Sequence, residues 1–194
     1  MHNNIKKELP KRKYLRLKDF DYSCEGSYFL TICTQHRKNI LSAIVGEGSR
    51  LSPTLQEGWD EPPLPKLTRY GKIVDKWIQK IPEKYPAISV DSYVIMPNHI
   101  HLLLSIIKDD GRGIFPSARE EKLDPSPTVN AAIAWLKHKS TIEINKSRGI
   151  RGEKIFQRSF YDHIVRNHKD YDEIYEYIYQ NPARWQYDKL YSEE

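Results

Sequence analysis

The chain has 194 residues, 39% hydrophobic and 29% charged, with a formal net charge of +5 and a pI of about 9.0. That length suits one domain with its own core, and no apolar run approaches the ~20 residues of a membrane helix. The N-terminus, M-H-N-N-I-K-K-E-L-P-K-R-K, lacks the apolar stretch of a secretory signal, and two cysteines, Cys24 and Cys33, are too few for a disulfide framework. A cytoplasmic protein with reduced thiols is therefore expected.

The charge is uneven. Residues 6–18 carry Lys6, Lys7, Lys11, Arg12, Lys13, Arg16 and Lys18 against Glu8 alone. A second cluster runs through Lys137, Lys139, Lys146, Arg148, Arg151 and Lys154. Either is explained by a solvated face. Tyr14, Tyr22 and Tyr28 follow the first cluster, and aromatics beside basic residues suit stacking single-stranded bases. Nucleic-acid contact by the basic arm is the expectation.

In chain order, residues 26–34 (G-S-Y-F-L-T-I-C-T) read as a strand. Tyr28, Leu30 and Ile32 fall on one face, and Phe29, Thr31 and Cys33 on the other. Residues 46–65 carry no periodicity and read as a loop. Apolar residues at 70, 73, 74, 77, 78 and 81 predict a helix over 68–81, stopped by Pro82. Two apolar runs, 88–96 and 99–107, flank Pro97-Asn98 and predict an antiparallel hairpin. Residues 108–127 read as a second irregular stretch. Residues 128–145 predict a helix capped by Thr128, with a stripe of Val129, Ala132, Ile133, Trp135, Leu136 and Ile142. Residues 155–165 read as a strand with an irregular middle. Residues 169–181 predict a last helix, capped by Asp170 and ended by Pro182. Its packed face is expected to be Tyr171, Ile174, Tyr175 and Ile178. Strand, helix, strand, strand, helix, strand, helix matches the split pattern of a ferredoxin-like antiparallel sheet covered by helices, an α+β fold.

The hairpin holds the chemistry. In a strand His99 and His101 project from one surface while Ile100 points into the other. The pair reads as part of a metal site or as two ordinary strand histidines. Leu103 denies a third alternating histidine. The spacing is wrong for a zinc-protease helix, and neither cysteine has structural zinc spacing. A His pair with an oxygen ligand suits Mg²⁺ or Mn²⁺ acting on a phosphoryl oxygen. On the last helix Tyr177 and Asn181 lie one turn apart, at the edge of the apolar stripe.

These residues carry a family resemblance. P-N-H-I-H-L-L-L resembles the HUH motif, two histidines flanking a bulky apolar residue. Y-E-Y-I-Y-Q-N-P-A-R-W resembles the catalytic helix of the single-tyrosine HUH transposases, closest to the REP-associated tyrosine transposases. F-Q-R-S-F-Y-D-H-I-V-R-N and Y-F-L-T-I-C-T fit the same pattern.

The resemblance implies an HUH endonuclease fold of ferredoxin-like type over 26–185, preceded by a basic arm (1–25) and followed by a short tail (186–194). It implies His99, His101 and Asn181 as ligands of Mg²⁺ or Mn²⁺, and Tyr177 as nucleophile. The expected reaction is cleavage of single-stranded DNA at hairpin-forming repeats through a 5′-phosphotyrosine, with later strand transfer. Tyr179 is expected to point away from Asn181, and His163 to be structural. Lys11, Arg12, Lys13, Arg16, Arg158 and Arg166 are the candidate DNA contacts. The partner is single-stranded or hairpin DNA, and the protein a monomer or homodimer. A catalytically decayed hairpin-binding protein of the same fold is the alternative. A small-substrate phosphodiesterase is a third reading, disfavoured by the basic arm.

Overall fold

The computed structural model describes residues 22–44, 65–107 and 128–192. Lys11, Arg12, Lys13 and Arg16 lie outside them, as do nearly all of the irregular stretches 46–65 and 108–127.

Among the described residues six strands and four α-helices follow in order: β1 (Gly26–Cys33), β2 (Ser42–Ile44), β3 (Pro65–Leu67), α1 (Arg69–Gln79), α2 (Ile81–Lys84), β4 (Ile88–Ile95), β5 (His99–Ile106), α3 (Val129–Ser147), β6 (Tyr161–Ile164) and α4 (His168–Gln180). A 3₁₀ segment, Asn181–Tyr187, continues from α4. The main sheet has the order β4-β5-β1-β6, with every neighbouring pair antiparallel. This is the ferredoxin-like arrangement expected from the element order. The short β2–β3 ribbon and the single turn of α2 are additions that the periodicity does not signal.

Strand alternation divides the interior into two cores. Tyr28, Leu30, Ile32, Ile100, Leu102 and Leu104 point to one face, where α1 and α3 add Val74, Ile78, Val129, Ile133, Leu136 and Ile144. Full burial of each such side chain contributes about 1.5–3 kcal/mol, so this layer holds most of the fold. Phe29 and Leu103 point the other way, onto Ile174 and Ile178 of α4 and onto Trp185, Val94 and Met96. The register pairs Thr31 with His101 and Cys33 with His99, so these four residues share the α4 face of the sheet.

Caps explain where the helices begin. The Thr68 side chain accepts from the amides of Tyr70 and Gly71, and that of Thr128 from Ala131. α4 differs from expectation: Asn167, not Asp170, is its cap, accepting from the Asp170 amide at 2.9 Å. The Asp170 carboxylate instead bonds His163 and the amide of Arg166.

Three further expectations are corrected. Tyr175 is not core: it is 47% exposed, and Ile174 and Ile178 carry the α4 packing, with Tyr171 at their edge. Ile142 is exposed too, because the buried line of α3 continues from Leu136 through Ser140 to Ile144, one turn at a time. The last strand is four residues rather than eleven. Phe156 makes only an isolated bridge to Thr34, and the carbonyls of Gln157 and Arg158 accept from Lys137 Nζ instead of a neighbouring strand. Among the described residues no helix is long and apolar enough to cross a membrane.

Candidate active site

The hairpin turn puts His99 at the first position of β5, where the Met96 amide donates to the His99 carbonyl at 2.9 Å. Both imidazoles are buried. Each ring is held through Nδ1. His99 Nδ1 lies 2.8 Å from Asn98 Oδ1, and His101 Nδ1 lies 3.0 Å from Thr31 Oγ1. The Asn98 amide is itself fixed, since its Nδ2 donates to the Leu190 carbonyl at 2.8 Å and to Ser192 Oγ at 3.2 Å. Its oxygen therefore faces His99, which must donate from Nδ1 and leave Nε2 as a lone pair. The two Nε2 atoms converge to 3.0 Å. A proton or a cation between the two nitrogens would relieve the repulsion of facing lone pairs.

Electrostatics keep both rings neutral. Burial, then the neighbouring His101, drives His99 down to about 3 against the pull of Asp188. Burial also lowers His101 against the pull of the same carboxylate. Neutral imidazole is the form that ligates metals.

Tyr177 reaches this point from α4. Its Oη lies 3.3 Å from His101 Nε2. Its ring meets His101 at 5.1 Å between centroids and meets Phe29 edge-on at 5.9 Å, while Phe29 stacks on His101 at 5.3 Å. The ring is packed on one side and remains 43% exposed. Burial and then the Asp188 charge push the phenol up to about 12. One turn on, Asn181 is buried; its Nδ2 donates to Asp188 Oδ2 at 3.2 Å, and its Oδ1 is buried without a partner among the described residues. Tyr175 and Tyr179, both exposed, do not join the cluster.

The chain thus brings together His99, His101, Tyr177 and Asn181, and adds a residue that sequence reasoning missed. Asp188 Oδ2 lies 3.8 Å from His99 Nε2 and 3.9 Å from His101 Nε2. His99, His101 and Asp188 form a group able to hold an ion, with ligand atoms all within 4.8 Å of one another. Burial alone would raise this carboxyl; the neighbouring His101, the hydrogen bond from the Leu190 amide, His99 and the Asn181 amide outweigh it and hold the group ionised, below the usual carboxylate range. No periodic signal marks Asp188, because it follows a 3₁₀ segment in a stretch read as tail. Thr31 and Asn98 were visible only as a strand position and a turn residue.

Arg158 and Arg166 are exposed. His163 sits on the surface, paired with Asp170 at 2.9 Å.

A divalent ion fits this donor set. Two neutral imidazole nitrogens converge, a buried amide oxygen lacks a partner, and a buried carboxylate faces them. The 3.0 Å between the Nε2 atoms is the spacing of adjacent donors around an octahedral ion with bonds of ~2.1 Å.

No family model matches the chain. An uncharacterized protein of Haemophilus influenzae is 30% identical over 185 residues, which is 93% of both chains. A second protein of that organism, named "Putative REP-associated tyrosine transposase", is 31% identical over 113 residues, 54% of each chain. The solved structure of a REP-associated tyrosine transposase bound to a REP hairpin superimposes with a TM-score of 0.52. It covers 90% of this chain and 77% of its own at 18% identity, a likeness of fold. The chain belongs to one family with the Haemophilus influenzae protein it matches over 93% of both lengths, and it is similar to REP-associated tyrosine transposases in part of its sequence and in its fold.

Proposed function

We propose that this protein is a metal-dependent endonuclease and strand-transferase for single-stranded or hairpin DNA, with Tyr177 as its nucleophile. The observation that carries the reading is the approach of Tyr177 Oη to within 3.3 Å of His101 Nε2, at the convergence of the buried histidine pair.

His99, His101 and Asn181 would hold Mg²⁺ or Mn²⁺. When bound, such an ion draws charge from a phosphodiester oxygen and makes the phosphorus more electrophilic. The protein supplies the rest. Phe29 and His101 fix the Tyr177 ring on one side, and the exposed side admits DNA. Oη attacks phosphorus, the bond to the 3′ oxygen breaks, and a 5′-phosphotyrosine forms. The phenol proton leaves during attack and the departing 3′ oxygen takes one up, so the step is proton-neutral. Because the phosphotyrosine retains the energy of the broken bond, the 3′-hydroxyl of another end can reverse the step without ATP. A phenol held near 12 is not spontaneously ionised at neutral pH, so attack waits for substrate and ion together. The basic arm, with Lys11, Arg12, Lys13 and Arg16, supplies backbone contacts, and Arg158 and Arg166 are exposed for the same purpose.

The test is incubation with labelled hairpin oligonucleotides and Mn²⁺. A covalent protein–DNA adduct is expected in the wild type and absent in Tyr177→Phe. His101→Ala is expected to lose cleavage and keep binding. Adduct persisting in Tyr177→Phe would remove Tyr177 from the mechanism. Tight binding without cleavage on every hairpin tried would favour a decayed, hairpin-binding protein.

A further inference from the structure

We propose that Asp188 is a ligand of the metal ion, so that the donor set is His99, His101, Asn181 and Asp188 and its fourth member comes from the segment after the catalytic helix. The inference rests on the metal-dependent reading above and extends it.

The first argument is charge balance. The Asp188 side chain is 4% exposed. Among the described residues no lysine or arginine pairs with it; the neutral imidazoles of His99 and His101 face it at 3.8 and 3.9 Å. A buried carboxylate is costly unless a cation faces it. A divalent ion between the histidines would meet that need, and a hard oxygen anion is the donor that Mg²⁺ and Mn²⁺ favour.

The second argument is aim. One carboxylate oxygen, Oδ1, is occupied by the Leu190 amide at 2.6 Å. The other, Oδ2, is nearly equidistant from the two Nε2 atoms and points at their convergence. Asn181 Nδ2 and Tyr177 Oη also face Oδ2, at 3.2 and 3.5 Å. An oxygen that served only Asn181 would not need to sit symmetrically before both imidazoles.

The third argument is preorganisation. Asn98 Nδ2 holds the Leu190 carbonyl and Ser192 Oγ, and Asn39 Nδ2 donates to the Ser192 carbonyl at 2.9 Å. Asn98 is also the residue that orients His99. One side chain therefore fixes both the first histidine and the segment that delivers Asp188. Ligands held in this way lose little freedom when the ion binds.

The test uses the full chain without DNA. Mn²⁺ is titrated into wild type, His101→Ala and Asp188→Asn, and the free-ion signal is read by electron paramagnetic resonance. Asp188→Asn keeps the shape and removes the charge, and is expected to weaken Mn²⁺ binding by at least about tenfold. An affinity within about twofold of wild type would overturn the ligand role. If wild type binds while Asp188→Asn binds equally and His101→Ala does not, only Asp188 fails and the metal reading stands. If wild type does not bind Mn²⁺ at all, both fall. A second measurement needs no variant. Among the proposed donors only Asp188 carries a carboxylate, so infrared difference spectra of the wild type on adding Mg²⁺ should show a shifted carboxylate stretch at the same saturation as binding. Binding with no such band would overturn the proposal.

Discussion

The buried histidines make the metal-free protein acid-sensitive in a defined window. His99 has an ordinary value of 6.5 and is driven to about 3 in the fold. The unfolded chain therefore binds a proton that the folded chain refuses between those two values. Stability rises with pH wherever the unfolded state holds more protons. The cost is absent above pH 6.5 and grows as pH falls toward 3. At about 1.4 kcal/mol per pH unit, His99 alone costs about 2 kcal/mol at pH 5. His101 is displaced in the same direction and adds to it. Asp188 does not offset it: its carboxyl is held below the ordinary 3.8, so it is ionised in both states between pH 7.5 and 5 and adds to the loss only at lower pH. Urea unfolding in EDTA at pH 7.5 and pH 5 measures the effect. With a slope of about 2 kcal/mol per molar urea, the midpoint should fall by about 1 M or more. His99→Gln removes one of the two contributors and should recover a substantial part of that drop. An equal drop in wild type and His99→Gln would refute the claim that His99 is buried neutral. Saturating Mn²⁺ should raise the midpoint more at pH 7.5 than at pH 5, because protons compete for the same nitrogens.

Two other substitutions probe the frame of the site. Thr31→Val keeps the shape of the side chain but removes the hydroxyl that orients His101; Mn²⁺ affinity should fall about tenfold with the fold intact, and wild-type affinity in that variant would show that the ring is held by packing alone. Gly71→Ala places a Cβ 2.0 Å from the Leu41 carbonyl oxygen, which already accepts from the Thr68 amide. Backbone cannot yield there as a side-chain tip would, so the variant should lose about 3 kcal/mol, read as a fall of about 6–12 °C in Tm.

What was legible in the sequence follows the range over which each signal acts. Alternation along β1 and β5 is local and survives any context, so the placement of Ile100 in one core and of His99 and His101 on the other face could be read directly. Helical spacing likewise placed Tyr177 and Asn181 one turn apart; Tyr177 reaches His101, and Asn181 reaches Asp188. The errors arose where tertiary contacts override spacing. Tyr175 obeys the i, i+4 rule from Tyr171 yet stacks on it at 6.5 Å in solvent, because two isoleucines already fill the narrow face of α4. Ile142 fails for the opposite reason: the small Ser140 occupies the buried line of α3 that a larger apolar residue was expected to hold. Asp188 lies beyond any periodic rule. Its position depends on a 3₁₀ segment that turns the chain back over β5, and on Asn98, 90 residues earlier, which binds the Leu190 carbonyl. The histidine pair and the Tyr177–Asn181 helix can each be recognised alone, but the carboxylate joins them only once the sheet, α4 and the final segment have packed. Metal affinity should therefore report on the docking of residues 188–192 as well as on the hairpin, and loosening either should weaken both.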